Sequence, residues 1–325
     1  MFKYNTQQTE AKQLTKTPNI FIDGQSGTTG LQILRRLSER SDLNLLSIKE
    51  SERKSTAFKQ AIYDEADLVI LCLPDDAARE AVSLSKTARF IDASTAHRTS
   101  PDWTYGLPEL CVSQRDEITK SRLVSNPGCY PTGSILAIRP LIDEGFLDPD
   151  TPIRIHATSG YSGGGKNLIS EYQQNDSPSW RVRPYSLELQ HKHLPEMQQF
   201  AKLSKEPLFL PSVGHFYQGM LIQIPLFQSE FSRSISKRDI IQMLQDRYAK
   251  EPFVRVYNDS SALDNGFLSP THCNDTNRVE LMVFGNAEQV VIIARLDNLG
   301  KGASGAAVQN LNLMLGISEK TGLIE

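Results

Sequence analysis

Cys129 stands in the run Ser125-Asn126-Pro127-Gly128-Cys129-Tyr130-Pro131-Thr132-Gly133. Asn-Pro-Gly is turn chemistry. Pro131 suits the first turn of a helix, where a missing N–H has no consequence. Ile135, Leu136, Ile138, Leu141 and Ile142 then recur at helical spacing. The pattern predicts a thiol leaving a tight turn at a helix start, beside free backbone N–H groups and the positive end of the helix dipole. Such surroundings lower a cysteine pKa and make a thiolate nucleophile. The same N–H groups can hold the oxyanion formed when a thiolate attacks a carbonyl. The competing reading is a buried structural cysteine, the common fate of a free thiol.

A nucleophilic thiol calls for a partner that moves protons near neutral pH, and histidine is the usual one. His191 and His193, two of only six histidines, lie in Tyr185-Ser186-Leu187-Glu188-Leu189-Gln190-His191-Lys192-His193-Leu194-Pro195-Glu196. No third ligand at convincing spacing accompanies the pair, so no metal site is expected. A second glycine-rich run, Ser159-Gly160-Tyr161-Ser162-Gly163-Gly164-Gly165-Lys166, allows backbone to approach a ligand closely. It offers Ser159, Ser162 and Lys166 as anion donors, and a plain surface loop reads equally well.

These groups need a scaffold. Asn19–Asp23 reads as a strand, followed by Gly24-Gln25-Ser26-Gly27-Thr28-Thr29-Gly30 and a helix marked by Leu31, Ile33, Leu34 and Leu37. Strand, glycine loop, helix is the setting in which a dinucleotide pyrophosphate binds, with Gly24, Ser26, Gly27, Thr28, Thr29 and Gly30 as its cradle. The spacing is Gly-x-x-Gly-x-x-Gly, and an ordinary strand-to-helix turn is the alternative. Further strands are expected over Asn44–Ile48, Asp67–Pro74 and Ala88–Ala93, the second of these apolar throughout, as in a buried parallel sheet. Ser47, Lys49, Arg53 and Lys54 follow the second strand and suit a ribose 2′-phosphate, whereas Glu50 suits a free hydroxyl. The balance tilts toward NADP.

Beyond Cys129 the strands come consecutively, at Ile153–Thr158, Leu221–Ile224, Val279–Phe284 and Val290–Ala294. This predicts an α/β protein in which a Rossmann-type doubly wound nucleotide domain joins a second α/β domain with a mixed, partly antiparallel sheet. The expected division is a loose leader over 1–18, a dinucleotide-binding domain from 19–128 with 298–325, and a catalytic and oligomerisation domain over 129–297. Asp297-Asn298-Leu299-Gly300-Lys301-Gly302-Ala303-Ser304-Gly305 would return the last helix to the first domain.

Composition agrees with an ordinary enzyme. The 325 residues are 39% hydrophobic and 22% charged, with net charge −3. Basic residues are scattered, which argues against nucleic acid. No apolar run approaches a membrane span, and the first residues lack a signal-peptide core. Cys72, Cys111, Cys129 and Cys273 show neither paired nor zinc-type spacing, so reduced thiols in the cytoplasm are expected.

Taken together, the motifs resemble the shorter type of the N-acetyl-gamma-glutamyl-phosphate reductase family, within the aspartate-semialdehyde dehydrogenase-like superfamily. The resemblance rests on Gly24 to Gly30, Tyr105-Gly106-Leu107-Pro108-Glu109-Leu110, Asn126 to Thr132, His191-Lys192-His193 with Pro195-Glu196, and Asp297 to Gly316. It implies NADP-linked, reversible reduction of N-acetyl-L-glutamyl 5-phosphate to the 5-semialdehyde, in arginine biosynthesis. The substrate would be a small acyl phosphate, phosphate the other product, and the assembly a homo-oligomer, dimer or tetramer. Cys129 falls on the family nucleophile and His191 on its partner, with His193 and Tyr185 as support. Arg98, in Asp92-Ala93-Ser94-Thr95-Ala96-His97-Arg98, falls near an active-site segment. Arg98, Ser159 and Lys166 are then candidates for phosphate or carboxylate contact. Lys192 replaces an arginine common in the longer type. Aspartate-semialdehyde dehydrogenase, a lysine-pathway homologue and a nucleotide-sensing binding protein remain as alternatives.

Overall fold

The computed structural model describes residues 16–53, 55–174, 178–258 and 260–325. Of the leader expected over 1–18, all but the last three residues lie outside this set, as does Lys54.

The first sheet follows the strand–helix alternation read from the sequence. Its elements are β1 (Asn19–Asp23), α1 (Thr28–Ser38), β2 (Asn44–Leu46), α2 (Thr56–Glu65), β3 (Leu68–Leu71), α3 (Asp75–Ser83), β4 (Phe90–Asp92), β5 (Thr104–Tyr105), α4 (Gln114–Lys120) and β6 (Leu123–Ser125). The strands run in the order β2-β1-β3-β4-β6-β5, every pairing parallel. A parallel sheet is covered on both faces, so its strands are apolar on both. Ile20, Ile22, Ile70 and Ile91 point to one face, where α1, α4 and the C-terminal segment Ala307–Met314 pack. Phe21, Val69, Leu71 and Phe90 point to the other, against Tyr63, Ala78 and Ala81 of α2 and α3. The strands are shorter than expected at their ends: β3 stops at Leu71, before Cys72 and Pro74, and β2 at Leu46.

Beyond Ser125 the chain builds a second layer from α5 (Cys129–Asp143), β7 (Arg154–Gly160), α6 (Gly165–Gln174), β8 (Val182–Pro184), α7 (Leu194–Ala201), β9 (Leu208–Gly214), β10 (Met220–Phe227), α8 (Lys237–Tyr248), β11 (Val254–Tyr257), β12 (Val279–Gly285) and β13 (Gln289–Leu296). The order is β11-β12-β13-β10-β7-β9-β8, with β11·β12 and β7·β9 parallel and the other pairs antiparallel. One face packs on α5: Ile135, Leu136, Ile138 and Leu141 meet Ile222, Ile224, Ile292 and Ala294. This cluster seats the helix that begins at Cys129.

After β13 a single π-helical turn, Gly300–Ser304, leads into α9 (Gly305–Leu315). Ala307, Val308, Leu311 and Met314 of α9 then join the core of the first sheet. Cys129 thus lies where the two sheets meet. Among the described residues no helix is long and apolar enough to cross a membrane.

Candidate active site

Gly128 caps α5 with extended backbone (φ −73°, ψ 155°), and Cys129 is the first helical residue. A Cβ on Gly128 would lie 2.5 Å from Arg98 Nη1, 2.9 Å from His193 Nε2 and 3.0 Å from Glu196 Oε2. Only a glycine lets three polar side chains close on the backbone beside the thiol. From the opposite side Gly302 of the π-helical turn presses in, its notional Cβ 2.8 Å from Cys129 Cβ.

This enclosure reverses one expectation. The helix start was expected to lower the thiol pKa, but burial pushes it up to about 11. The Arg98 charge and the Tyr130 N–H pull it down, and the Glu196 charge opposes them. The cost of desolvating a bare thiolate outweighs the helix terminus.

Glu196, in the first turn of α7, organises the surroundings. It is 2% exposed, and accepts hydrogen bonds from the Gly128 N–H (2.8 Å), the Tyr105 hydroxyl (2.6 Å) and Arg98 Nη1 (3.1 Å). Arg98 Nη2 donates to the Ala93 carbonyl at 3.1 Å. One carboxylate therefore ties the turn before Cys129, the end of β5 and the segment after β4. Its position just after a proline reads in sequence as ordinary helix-start acidity, so its role as a tie was not visible there.

His191 and His193 converge on the same place. The backbone N–H of His193 donates to His191 Nδ1 at 3.1 Å, which leaves Nε2 to carry the proton of the neutral ring. Burial, with Lys192 beside it, lowers the His191 pKa to about 4. Burial, then the Arg98, His191 and Lys192 charges, hold His193 well below the ordinary histidine range. Both rings are neutral at physiological pH. Tyr130 meets His191 edge-on at 5.8 Å, and the Tyr185 hydroxyl donates to that of Tyr130 at 3.1 Å.

A cavity of about 670 Å³ joins these groups. Cys129, His191, His193, Tyr185, Arg98 and Ser159 all line it, and so do Thr28 and Thr29 at the start of α1. Lys166 is exposed on α6 and does not line it, whereas its neighbours Asn167 and Leu168 do. Asn298, not singled out in the sequence, also lines the wall. Its Oδ1 accepts the Gly219 N–H at 2.8 Å and its Nδ2 donates to Ser162 Oγ at 2.9 Å.

The β1–α1 turn fits a dinucleotide. Gly24 has φ +91°, and a Cβ there would collide with the Cys72 carbonyl. A Cβ on Gly30 would strike the Gly24 carbonyl. No side chain caps the α1 start at Gly27, so its N–H groups remain for an anion. Ser26 belongs to the same turn. Ser47 and Arg53 are exposed past the carboxyl end of β2, which runs parallel beside β1. Arg53 pairs with the exposed Glu50 at 3.1 Å.

Comparison with known proteins agrees with this geometry. Residues 19–121 match the family model described as semialdehyde dehydrogenase, NAD binding domain, and residues 129–298 that described as semialdehyde dehydrogenase, dimerisation domain. The chain is 50% identical over 319 residues to N-acetyl-gamma-glutamyl-phosphate reductase 2 of Nostoc sp., covering 94% of this chain and 99% of that one. It is 48% identical over 307 residues to N-acetyl-gamma-glutamyl-phosphate reductase of Brucella ovis, covering 92% and 99%. Among solved structures, aspartate semialdehyde dehydrogenase II of Vibrio cholerae, complexed with ASA, superposes with TM-score 0.69 at 15% identity over 93% of this chain and 99% of that one. Aspartate semialdehyde dehydrogenase of Candida albicans, with NADP, gives 0.64 at 12% over 92% and 99%. At such identities the solved structures speak to the fold, which is theirs. The near-full-length identity of about one residue in two is what shows that this chain belongs to the N-acetyl-gamma-glutamyl-phosphate reductase family.

Proposed function

We propose that the chain reduces N-acetyl-L-glutamyl 5-phosphate with NADPH to N-acetyl-L-glutamate 5-semialdehyde and phosphate, the reaction of arginine biosynthesis for which its relatives are named. The observation that carries this reading is the meeting of Cys129, neutral His191 and the start of α1 in one cavity. Cys129 Sγ attacks the acyl carbon, the carbon–oxygen bond to phosphate breaks, and the thiol proton leaves on phosphate. The product is a thioester on Cys129. NADPH, when bound on the β1–α1 turn, supplies the hydride that this carbon accepts. His191 Nε2–H faces the acyl oxygen, where negative charge develops, and shares its proton with the thiohemiacetal oxygen. The Tyr130 N–H, already directed at the sulfur, steadies charge beside it. Collapse returns the electron pair to sulfur, releases the aldehyde, and a proton from solvent restores the thiol.

Gly24, Ser26, Gly27, Thr28, Thr29 and Gly30 are the residues that would hold the pyrophosphate, and Ser47 and Arg53 the ribose 2′-phosphate. Tyr185 and His193 orient His191, and Arg98 acts on the thiol. Ser159 is available to the substrate; Lys166 lies outside the cavity wall and has a weaker claim. We divide the chain into 19–128 with 298–325 and 129–297, a division supported by the packing of α9 on the first sheet. His156, Leu208, Gln223 and Phe227 are exposed on the face of the second sheet turned away from α5. This is the face a second copy would cover in a dimer, or in a tetramer of such dimers. All four cysteines are free thiols, which supports a cytoplasmic setting.

The test is phosphate-dependent NADP+ reduction with N-acetylglutamate 5-semialdehyde and aspartate semialdehyde side by side. The reading requires the acetylated aldehyde to have the larger kcat/KM by at least about 100-fold, the scale set by a site built for the acetyl and carboxylate groups. Preference for the free amine would overturn it.

A further inference from the structure

One stretch of the cavity wall has no part in the steps above. It follows the register of three adjacent strands. Ser159 of β7 pairs with Val213 of β9, and Val213 with Arg183 of β8, the edge strand. All three residues line the cavity. With neighbouring strands about 4.8 Å apart, the row runs roughly 10 Å from Ser159 to the sheet edge. At its inner end the Ser159 hydroxyl borders the Tyr130 phenol, next to the nucleophile.

Arg183 at the outer end is pre-set. Its guanidinium lies 3.9 Å over the Trp180 ring, and Trp180 meets buried Tyr172 edge-on at 4.9 Å. The ring gives the guanidinium a seat without using its N–H fork. Among the described residues no carboxylate engages it. The other cations of the wall are placed differently. Arg98 is held by Glu196 and the Ala93 carbonyl. Lys192 is close enough to Asp75, at the start of α3, for its charge to act on that carboxyl, and so lies toward the first sheet.

We propose that Arg183, seated over Trp180, is a specificity-determining residue that grips the carboxylate of an N-acylated amino-acid substrate. This rests on the function proposed above, in which the substrate carries an anionic group at each end. The phosphoryl end reacts at Cys129, and three carbons separate the acyl carbon from the carboxylate. A chain laid along the row passes its methylenes over Val213 and delivers the carboxylate to the fork, which matches it with two parallel N–H···O bonds. Glu171 is the one acid in this wall among the described residues, and it disfavours a carboxylate wherever the guanidinium does not reach.

The experiment compares wild type, Arg183→Met, Arg183→Lys and Trp180→Leu in phosphate-dependent NADP+ reduction. The two aldehydes are N-acetylglutamate 5-semialdehyde and 4-acetamidobutanal, the same chain without its carboxylate. Arg183→Met is expected to raise KM for the carboxylated aldehyde by about 30-fold or more, with kcat within about threefold. KM for phosphate and for NADP+ stays put, and so do all constants for 4-acetamidobutanal, which also reports that the variant is folded. Arg183→Lys recovers part of the loss, and Trp180→Leu shows a smaller one. Equal losses on both aldehydes, a rise confined to KM for phosphate, or no change at all overturns the assignment of Arg183 alone. A wild-type enzyme inactive on N-acetylglutamate 5-semialdehyde overturns the proposed function, and the role of Arg183 with it.

Discussion

Replacing Glu196 with glutamine changes one charge beside Cys129 while keeping its shape. Oε1 accepts from Gly128 and Tyr105, and Oε2 from Arg98. An amide can keep the first two contacts, but its NH2 then faces the Arg98 donor. Arg98 becomes a buried cation without a counter-charge, and stability falls by about 3 kcal/mol, the lower end for a broken buried pair. The effect on the thiol has the opposite character. Glu196 pushes the Cys129 pKa up and Arg98 pulls it down, so removing the carboxylate leaves the arginine unopposed. At an effective dielectric of about 20, unit charges about 4 Å apart interact with about 4 kcal/mol. Glu196 is held on the N–H of the preceding residue, Gly128, so its charge acts on the sulfur from further off, with on the order of 2 kcal/mol. That is about one and a half pH units. The assay is the rate of Cys129 alkylation by iodoacetamide as a function of pH, in variants carrying alanine at the other three cysteines. The midpoint should fall from about 11 in the parent with Glu196→Gln and rise with Arg98→Met. An unmoved midpoint, or one that rises with Glu196→Gln, refutes the electrostatic reasoning.

Other consequences can be measured on the same protein. His191→Asn should lower kcat by about 100-fold with little change in KM. Because His191 is held to about 4, the wild-type acid limb that requires its neutral form should lie near pH 4, not near 6.5, and be absent in the variant. Gly128→Ala forces a methyl against Arg98, His193 and Glu196 at 2.5 to 3.0 Å. Activity should be lost along with about 1–3 kcal/mol of stability, read by urea unfolding. Depressed histidine pKa values also set a pH dependence of stability: the unfolded chain binds more protons below pH 6.5. The contribution is therefore complete above pH 6.5 and declines as pH falls toward 4, by up to about 1.4 kcal/mol per pH unit for each ring. Urea unfolding at pH 7.5, 6 and 5 should show a shallower decline for His191→Asn than for wild type.

The elements legible in the sequence are those whose signal is local. β1, the Gly24–Gly30 turn and α1 follow one another within 20 residues, and β3 is an unbroken apolar run. The start of α5 was set by Asn-Pro-Gly before Cys129 and Pro131 after it. β5 and β8 had no comparable signal: β5 has two residues, and all of β8 is exposed. They are strands because β6 and β9 pair with them. The raised thiol pKa was equally out of reach, since the burial that causes it needs Gly302 to close over Cys129 from a distant part of the chain. Lys166 shows the limit of composition. Glycines before a lysine read as an anion loop, but α6 begins at Gly165 and turns Asn167 and Leu168, not Lys166, to the cavity. Cys129, His191 and His193 could be singled out because their types are rare and stand in distinctive runs, whereas Arg98 and Tyr185 were reached only through the family resemblance. Glu196, an acid among many, acquires its role only when Gly128, Tyr105 and Arg98 are folded around it.

The central claim is that the acyl group passes through Cys129. It is tested most directly by mixing the protein with N-acetyl-L-glutamyl 5-phosphate, generated in situ without NADPH, quenching in acid, and mapping adducts by peptide mass. The account predicts one acyl group per chain, on Cys129, discharged when NADPH is added before the quench. It predicts none in Cys129→Ala, a variant that still binds NADP but does not turn over. An adduct on another residue, or near-wild-type turnover by Cys129→Ala, would contradict it.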